Sequence, residues 1–216
     1  MKIAVLGTGV VGRTIGTKLV SLGHEVVMGS RTADNADAAE WAAEVGTGAS
    51  HGTFADAGAR GEMIINCTAG IGSLDALTSV GSEHLAGKVV ADISVPLDFS
   101  GGFPPSLFVC NTDSLGEQIQ RAFPEALVVK TLNTMNCVVM VDPATVPGDH
   151  SVFVSGNDAG AKARVRDLLE SFGWGQDRII DLGDITTSRG TEMYLPLWLR
   201  LFGALDTASF NIKVVR

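Results

Sequence analysis

Six residues near the N-terminus constrain this chain more than any others: Gly7-Thr8-Gly9-Val10-Val11-Gly12. They follow an apolar run, Ile3 to Leu6. After them Val11, Ile15, Leu19 and Leu22 recur at helical spacing, Gly23 stops the pattern, and a second apolar run follows from Val26 to Met28. Strand, glycine turn, helix and strand in that order are the context in which G-x-G-x-x-G binds a dinucleotide. Gly7 lets the chain turn sharply, Gly9 lets a pyrophosphate approach the backbone, and Gly12 lets the helix pack on its strand. The free amides of the first helical turn, from Val10, Val11 and Gly12, then point at the phosphates, and the helix dipole favours their charge.

The end of the second strand selects between two nucleotides. NAD usually meets a carboxylate there, which accepts from the ribose 2′-hydroxyl. This chain instead has Gly29-Ser30-Arg31. A hydroxyl and a guanidinium suit a 2′-phosphate, which arginine can hold through two parallel hydrogen bonds. Thr8 adds a second hydroxyl. The expectation is therefore NADP(H), set against a plainer alternative in which Arg31 is solvated and Ser30 caps the next helix.

The remaining pattern is that of an α/β protein, a Rossmann-type doubly wound and mostly parallel sheet. A helix is expected over 33–45 and a strand over Ala49 to Thr53, followed by a short helical turn led by Phe54. Met63 to Cys67 reads as the fourth strand, with one helix from Ser73 to about Leu85. Lys88 to Ile93 and Leu127 to Leu132 read as the fifth and sixth strands. Between those two, residues 94–110 form a Pro- and Gly-rich loop, long for a compact domain and open to a role as a lid. Asp113 is the expected cap of the helix that follows, to about Phe123. Asn133 to Val141 looks helical. Val152 to Val154 and Ile179 to Leu182 are extra C-terminal strands, with a basic helix between them. An apolar helix, Glu192 to about Leu205, is kinked or started at Pro196 and needs cover from the core, a ligand crevice or a dimer interface. The expected division is a nucleotide-binding domain over 1–187 and a C-terminal helical segment over 188–216.

Bulk properties narrow the partners. The formal charge of −8 argues against nucleic acid or an anionic membrane surface. Cations nevertheless outnumber acids in residues 188–216, where Arg189, Arg200, Lys213 and Arg216 face only Glu192 and Asp206. Such a segment could receive an acidic ligand. Cys67, Cys110 and Cys137 share no metal-ligand spacing and read as reduced thiols. The first strand leaves no room for a signal peptide, and Met193 to Leu205 is too short to span a bilayer. A cytoplasmic protein is the expectation.

In a doubly wound sheet, ligands lie beyond the carboxyl ends of the strands. That places Thr68 to Ile71, including Ala69, with Ser94-Val95-Pro96 and Asn133 to Met135 around the site. None of these is a strong acid, base or nucleophile. His24, His51, His84 and His150 read as structural or solvated, and no metal cluster or catalytic pair stands out. No catalytic residue is therefore expected. Hydride transfer between two bound rings needs none, because positioning supplies much of the rate.

These residues resemble the NADPH-dependent reductases of the deazaflavin coenzyme F420, and also the cytosolic domain of the six-transmembrane metalloreductases. The resemblance spans the chain: GTGVVG, Val-Met-Gly-Ser-Arg31, Ala91-Asp-Ile-Ser-Val-Pro96, Val128-Val129-Lys130-Thr-Leu-Asn133-Thr, Val154-Ser-Gly-Asn-Asp158 and the Arg189 to Leu201 helix. It implies that Thr8, Ser30 and Arg31 grip the 2′-phosphate. It also implies that Val95 and Pro96 sit near the nicotinamide, and that the C-terminal helix walls the flavin or deazaflavin pocket, commonly in a homodimer. The chain departs from the family pattern at Asn35, where a basic residue is frequent. It departs again at Leu132-Asn133-Thr134-Met135, where deazaflavin members often carry a histidine. The implied reaction is hydride transfer between NADPH and a deazaflavin or flavin acceptor. Reduction of a small organic or imine substrate, reduction of ferric iron through flavin, and a non-catalytic NADP(H) sensor are the alternatives. Arg31→Ala should weaken NADPH binding far more than NADH binding; equal losses in a fluorescence titration would remove the 2′-phosphate assignment.

Overall fold

The computed structural model describes residues 1–215. In chain order its elements are β1 (Lys2–Leu6), α1 (Val10–Ser21), β2 (Glu25–Ser30), α2 (Ala36–Val45), β3 (Ala49–Thr53) and α3 (Phe54–Arg60). Next come β4 (Met63–Asn66), α4 (Ser73–Val80), α5 (Ser82–Leu85), β5 (Val89–Asp92), β6 (Leu97–Asp98), β7 (Ser106–Leu107) and α6 (Leu115–Ala122). The chain continues through β8 (Leu127–Thr131), α7 (Cys137–Val141), β9 (Val152–Gly156), α8 (Ala159–Ser171), β10 (Ile179–Gly183), α9 (Ser188–Met193) and α10 (Leu195–Leu205).

Eight strands form one sheet in the order β10-β9-β8-β5-β4-β1-β2-β3. All neighbours are parallel except β8 and β9. The order reverses between β1 and β4, so the doubly wound reading holds and the crevice lies at the carboxyl ends of those strands. Alternation along β1 explains the two layers of core. Ile3 and Val5 face a cluster with Ile15, Leu19, Trp41, Val165 and Leu169. Ala4 and Leu6 face the other, with Phe54, Leu77, Leu115 and Ile119. Each such Leu, Ile or Phe side chain contributes about 1.5–3 kcal/mol by leaving water.

Several expected boundaries move for local reasons. The helix expected from Ser73 to Leu85 is two helices, because Gly81 takes φ +96° and breaks the ladder. The 94–110 loop is not wholly irregular, since β6 and β7 pair antiparallel within it. Ser114, not Asp113, caps α6 by accepting from the Glu117 amide. Asp113 is instead held by Arg121 at 2.8 Å, which drops its pKa to about 2. Residues 133–136 form a turn, and α7 begins only after the Asn136 cap.

In the C-terminal segment the helix expected from Glu192 is two: Glu192 belongs to α9, and α10 begins at Leu195 with Pro196 in its first turn, near the start that one of the two sequence readings gave. The core is excluded as its cover. Only Leu195 of α10 is buried, while Leu197 and Leu205 are more than half exposed. Trp198 stacks on Phe202 and Phe210, and the chain then returns so that the Ser151 amide donates to the Ile212 carbonyl. The cations of this segment do not converge either. Arg189 pairs with Glu117 and Lys213 with Asp149, while Arg200 is exposed and Arg216 lies outside the described residues.

Glu117 on α6 accepts from Arg189 Nε at 2.8 Å and from Arg189 Nη2 at 2.5 Å. Those hydrogen bonds outweigh burial and hold the Glu117 carboxyl below its usual range, with help from Ser114. A depressed carboxylate stabilises the fold fully above the unfolded pKa and loses that contribution as pH falls through the folded one. Glu117→Gln should therefore lower the melting temperature most near neutrality, with the gap to the native chain closing from about pH 5 to about pH 3. A gap that stays constant across that titration would show that the charge does not hold α9.

Candidate active site

Gly7 ends β1 with φ +109°, and its amide donates to the Gly29 carbonyl at 3.0 Å, tying the turn to β2. A Cβ on Gly12 would stand 2.1 Å from the Gly7 carbonyl oxygen, so only glycine lets α1 start over this turn. Gly9 is the N-cap of α1 and has nothing within 4 Å of where a Cβ would be. No side chain caps α1, and its first turn holds no acidic residue. α2, α3, α6, α7 and α8 each begin on a side chain that accepts a backbone N–H, whereas α4, α5, α9 and α10, like α1, do not. The amides of Val10, Val11 and Gly12 thus stand at an open helix end carrying about half a positive charge.

Ser30 ends β2 and is buried, its hydroxyl donating to the Thr32 carbonyl at 2.6 Å. It does not cap the next helix. That role falls to Asn35, whose side chain accepts from the Ala38 amide at 2.9 Å. Arg31 is exposed and joins no ion pair among the described residues. The neighbouring cation, Arg13, is occupied by Glu40 at 2.9 Å. Thr8 is half-buried in the turn.

The other predicted residues follow β4, β5 and β8, which are adjacent strands. Gly70 brings the first two loops together: a Cβ there would lie 2.0 Å from the Val95 carbonyl oxygen. Thr68 is half-buried, with its hydroxyl donating to Asn66 Oδ1 at 2.6 Å, and Ala69 is exposed. Val95 is half-buried and Pro96 buried. After β8, Leu132 takes φ +60°, a left-handed conformation that costs a branched side chain about 1–3 kcal/mol. The next residue, Asn133, is 4% exposed, and its Nδ2 has no partner. A strained residue beside an unsatisfied buried donor marks a place built to meet a ligand.

One residue deeper, a feature appears that the sequence reading missed. The last residues of β4 and β5 and the penultimate residue of β8 are Asn66, Asp92 and Lys130, and they lie side by side in register. All three are buried. Lys130 Nζ donates to Asp92 Oδ2 at 2.5 Å, to the Ser94 carbonyl at 2.8 Å, and lies 2.8 Å from Glu192 Oε1 on α9. Asp92 Oδ1 accepts from Asn66 Nδ2 and from the Ser94 hydroxyl and amide. The Glu192 carboxylate accepts from the Leu115 and Gly116 amides at the start of α6. Burial lowers the Lys130 pKa, but the two carboxylates outweigh it and hold the ammonium above its ordinary value. The signal was present as three apolar runs, MIIN, VVAD and VVK, each ending in a polar residue, but their alignment depends on strand register.

His150 is buried and structural, bonded to the Pro143 carbonyl and to Asn211. Burial pushes the Cys67 thiol well above its usual pKa, so it is no ready nucleophile. A cavity of about 280 Å³ beneath Met1, His24, Met63 and Arg164 opens at the amino ends of the strands and touches none of the predicted residues. The carboxyl end is the better candidate, because the open helix end and the strained loop both lie on that side of the sheet. Among the described residues no group of His, Cys, Asp or Glu is arranged to hold a metal ion, and no helix is long and apolar enough to cross a membrane.

The pattern of the family described as NADP oxidoreductase, coenzyme F420-dependent, matches residues 2–96. A crystallised protein from Arthrobacter sp. FB24, proposed to be an F420-dependent NADP-reductase, is 57% identical over the whole of both chains with a TM-score of 0.95. The F420-dependent NADP reductase of Methanothermobacter marburgensis is 29% identical over 93% of this chain and 92% of its own. The metalloreductase STEAP3 of Rattus norvegicus is 24% identical over 91% of this chain, which spans only 38% of that protein. The chain belongs to the coenzyme F420-dependent NADP oxidoreductase family and is an NADP-dependent oxidoreductase.

Proposed function

We propose that this protein passes a hydride between NADPH and coenzyme F420. The observation that supports the reading most is the open N-terminus of α1 beside the unpaired Arg31, with no free acid or base among the residues at the strand ends. Gly7, Thr8, Gly9, Val10, Val11 and Gly12 would cradle the pyrophosphate, with Ser30 and Arg31 taking the 2′-phosphate. Thr68, Ala69, Val95, Pro96 and Asn133 would surround the nicotinamide, where the unpartnered Asn133 amide has an acceptor to gain. Bound NADPH supplies the hydride, two electrons with one hydrogen, and leaves as NADP⁺. The chain's own share is to align two rings and exclude water, which fits a site without a proton-transfer group.

Residues 1–187 would form the nucleotide-binding domain, and residues 188–216 the wall of the acceptor pocket. The exposed apolar side chains of α10, Leu197, Phe202 and Leu205, suit a second copy of the chain. Ferric iron is the second reading for the acceptor, favoured by the likeness to a metalloreductase over most of this chain.

Purified protein mixed with NADPH should reduce F420 faster than flavin mononucleotide or a ferric chelate. Normal NADPH binding with no turnover of any of the three would overturn the proposal. In sedimentation the same protein should run as a dimer, and a monomer at micromolar concentration would remove the second-copy reading.

A further inference from the structure

Charged groups that leave water together need a reason, because a well-packed apolar substitute is often as stable. Asp92, Lys130 and Glu192 are each no more than 1% exposed, and they form one cluster with two negative groups and one positive. The cluster is fully bonded. Lys130 has three N–H groups and three acceptors, and every oxygen of both carboxylates receives at least one donor. Removing Lys130 would strand two buried carboxylates, and removing either carboxylate would take one of the three acceptors from the buried ammonium. Such a device fixes arrangement more than it adds stability.

What it arranges is specific. Through the Ser94 carbonyl, amide and hydroxyl it fixes the backbone that leads into Val95 and Pro96. Through Glu192 it fixes α9, and α10 follows α9 after Tyr194 alone. The Glu192 carboxylate also sits on the first two amides of α6, so three separate stretches of chain meet at one ammonium. Lys130 lies on β8 two residues before the strained Leu132 and three before Asn133. The floor on the nicotinamide side and the wall on the acceptor side are thus tied to the same nitrogen atom.

We propose that Lys130, Asp92 and Glu192 are positioning residues for hydride transfer, setting the separation between the two bound rings. This rests on the nucleotide and acceptor placement given under Proposed function. All three are buried beneath the loops, out of reach of a bound ring. They act through Ser94 to Pro96 on one side and through α9 and α10 on the other, so their loss should slow transfer without weakening NADPH. Glu192→Gln keeps the shape of the side chain but removes its charge and sets an amide donor against the α6 amides. The triple variant Asp92→Asn, Lys130→Met, Glu192→Met removes all three charges at similar volume, which keeps the question open to test if the single variant folds poorly.

Two measurements decide it. In Glu192→Gln and in the triple variant, NADPH should bind within about twofold of the native value, while single-turnover reduction of F420 slows about 10- to 100-fold. Amide exchange in the NADPH complex should quicken at Ser94, Val95 and Leu97 and at Leu197 to Leu205 together. A triple variant that folds, protects both segments as the native chain does and transfers hydride at the native rate would overturn the proposal. So would a loss of NADPH affinity as large as the loss of rate. Exchange does not depend on the acceptor. A wrong acceptor would leave native protein inactive with F420 while the two segments still loosen together, whereas a wrong positioning role would leave them independent.

Discussion

The sheet ends in a polar row that cannot be taken apart one residue at a time. Asn66, Asp92 and Lys130 occupy neighbouring strands at matching height, and Glu192 closes over them from α9. Breaking a buried pair by removing one partner typically costs about 3–5 kcal/mol, comparable with much of a domain's net stability. The loops above therefore inherit a rigid base. Thr68 is hydrogen-bonded to Asn66, the 94–96 segment hangs from Asp92 and Lys130, and the start of α6 is held by Glu192.

The nucleotide half obeys a different constraint, one of absence. α1 begins without a side-chain cap, over a glycine whose missing Cβ leaves open space. Five other helices begin on a side-chain cap, while α4, α5, α9 and α10 share the bare start; what sets α1 apart is the glycine turn beneath it and the open space at Gly9. An unsatisfied helix end and an unpaired arginine are both poised to gain from a phosphorylated ligand. Such groups contribute little until that ligand arrives.

Local chemistry was legible in the residues, and non-local pairing was not. The glycine turn, the paired strands around it and the start of α10 beside Pro196 follow from neighbours a few positions apart. The cap of α6 was misplaced by one residue because Asp113 and Ser114 are both good caps. What decides between them is Arg121, eight positions beyond Asp113, which draws Asp113 away. Gly81 was visible, but not that its φ would be positive and split one helix into two. The charged cluster was hidden more deeply. Lys130 and Glu192 are 62 positions apart, and only the crossing of α9 over β8 reveals that one neutralises the other. The same holds for Arg189, which reads as a free cation until its bond to Glu117 is seen.

Asn35 carries a consequence for any lineage, natural or engineered, that shifts its choice between the two nicotinamide nucleotides. Its side chain is the first hydrogen bond of α2, and Trp41 of that helix packs against Gly16 of α1. Exchanging it for a basic residue would add a charge near the proposed 2′-phosphate site and remove a cap worth about 0.5–2 kcal/mol. Selectivity and helix stability compete for one position. Evolution toward tighter discrimination has an easier route through the exposed Thr32, Ala33 and Asp34, where no backbone amide depends on the side chain's identity.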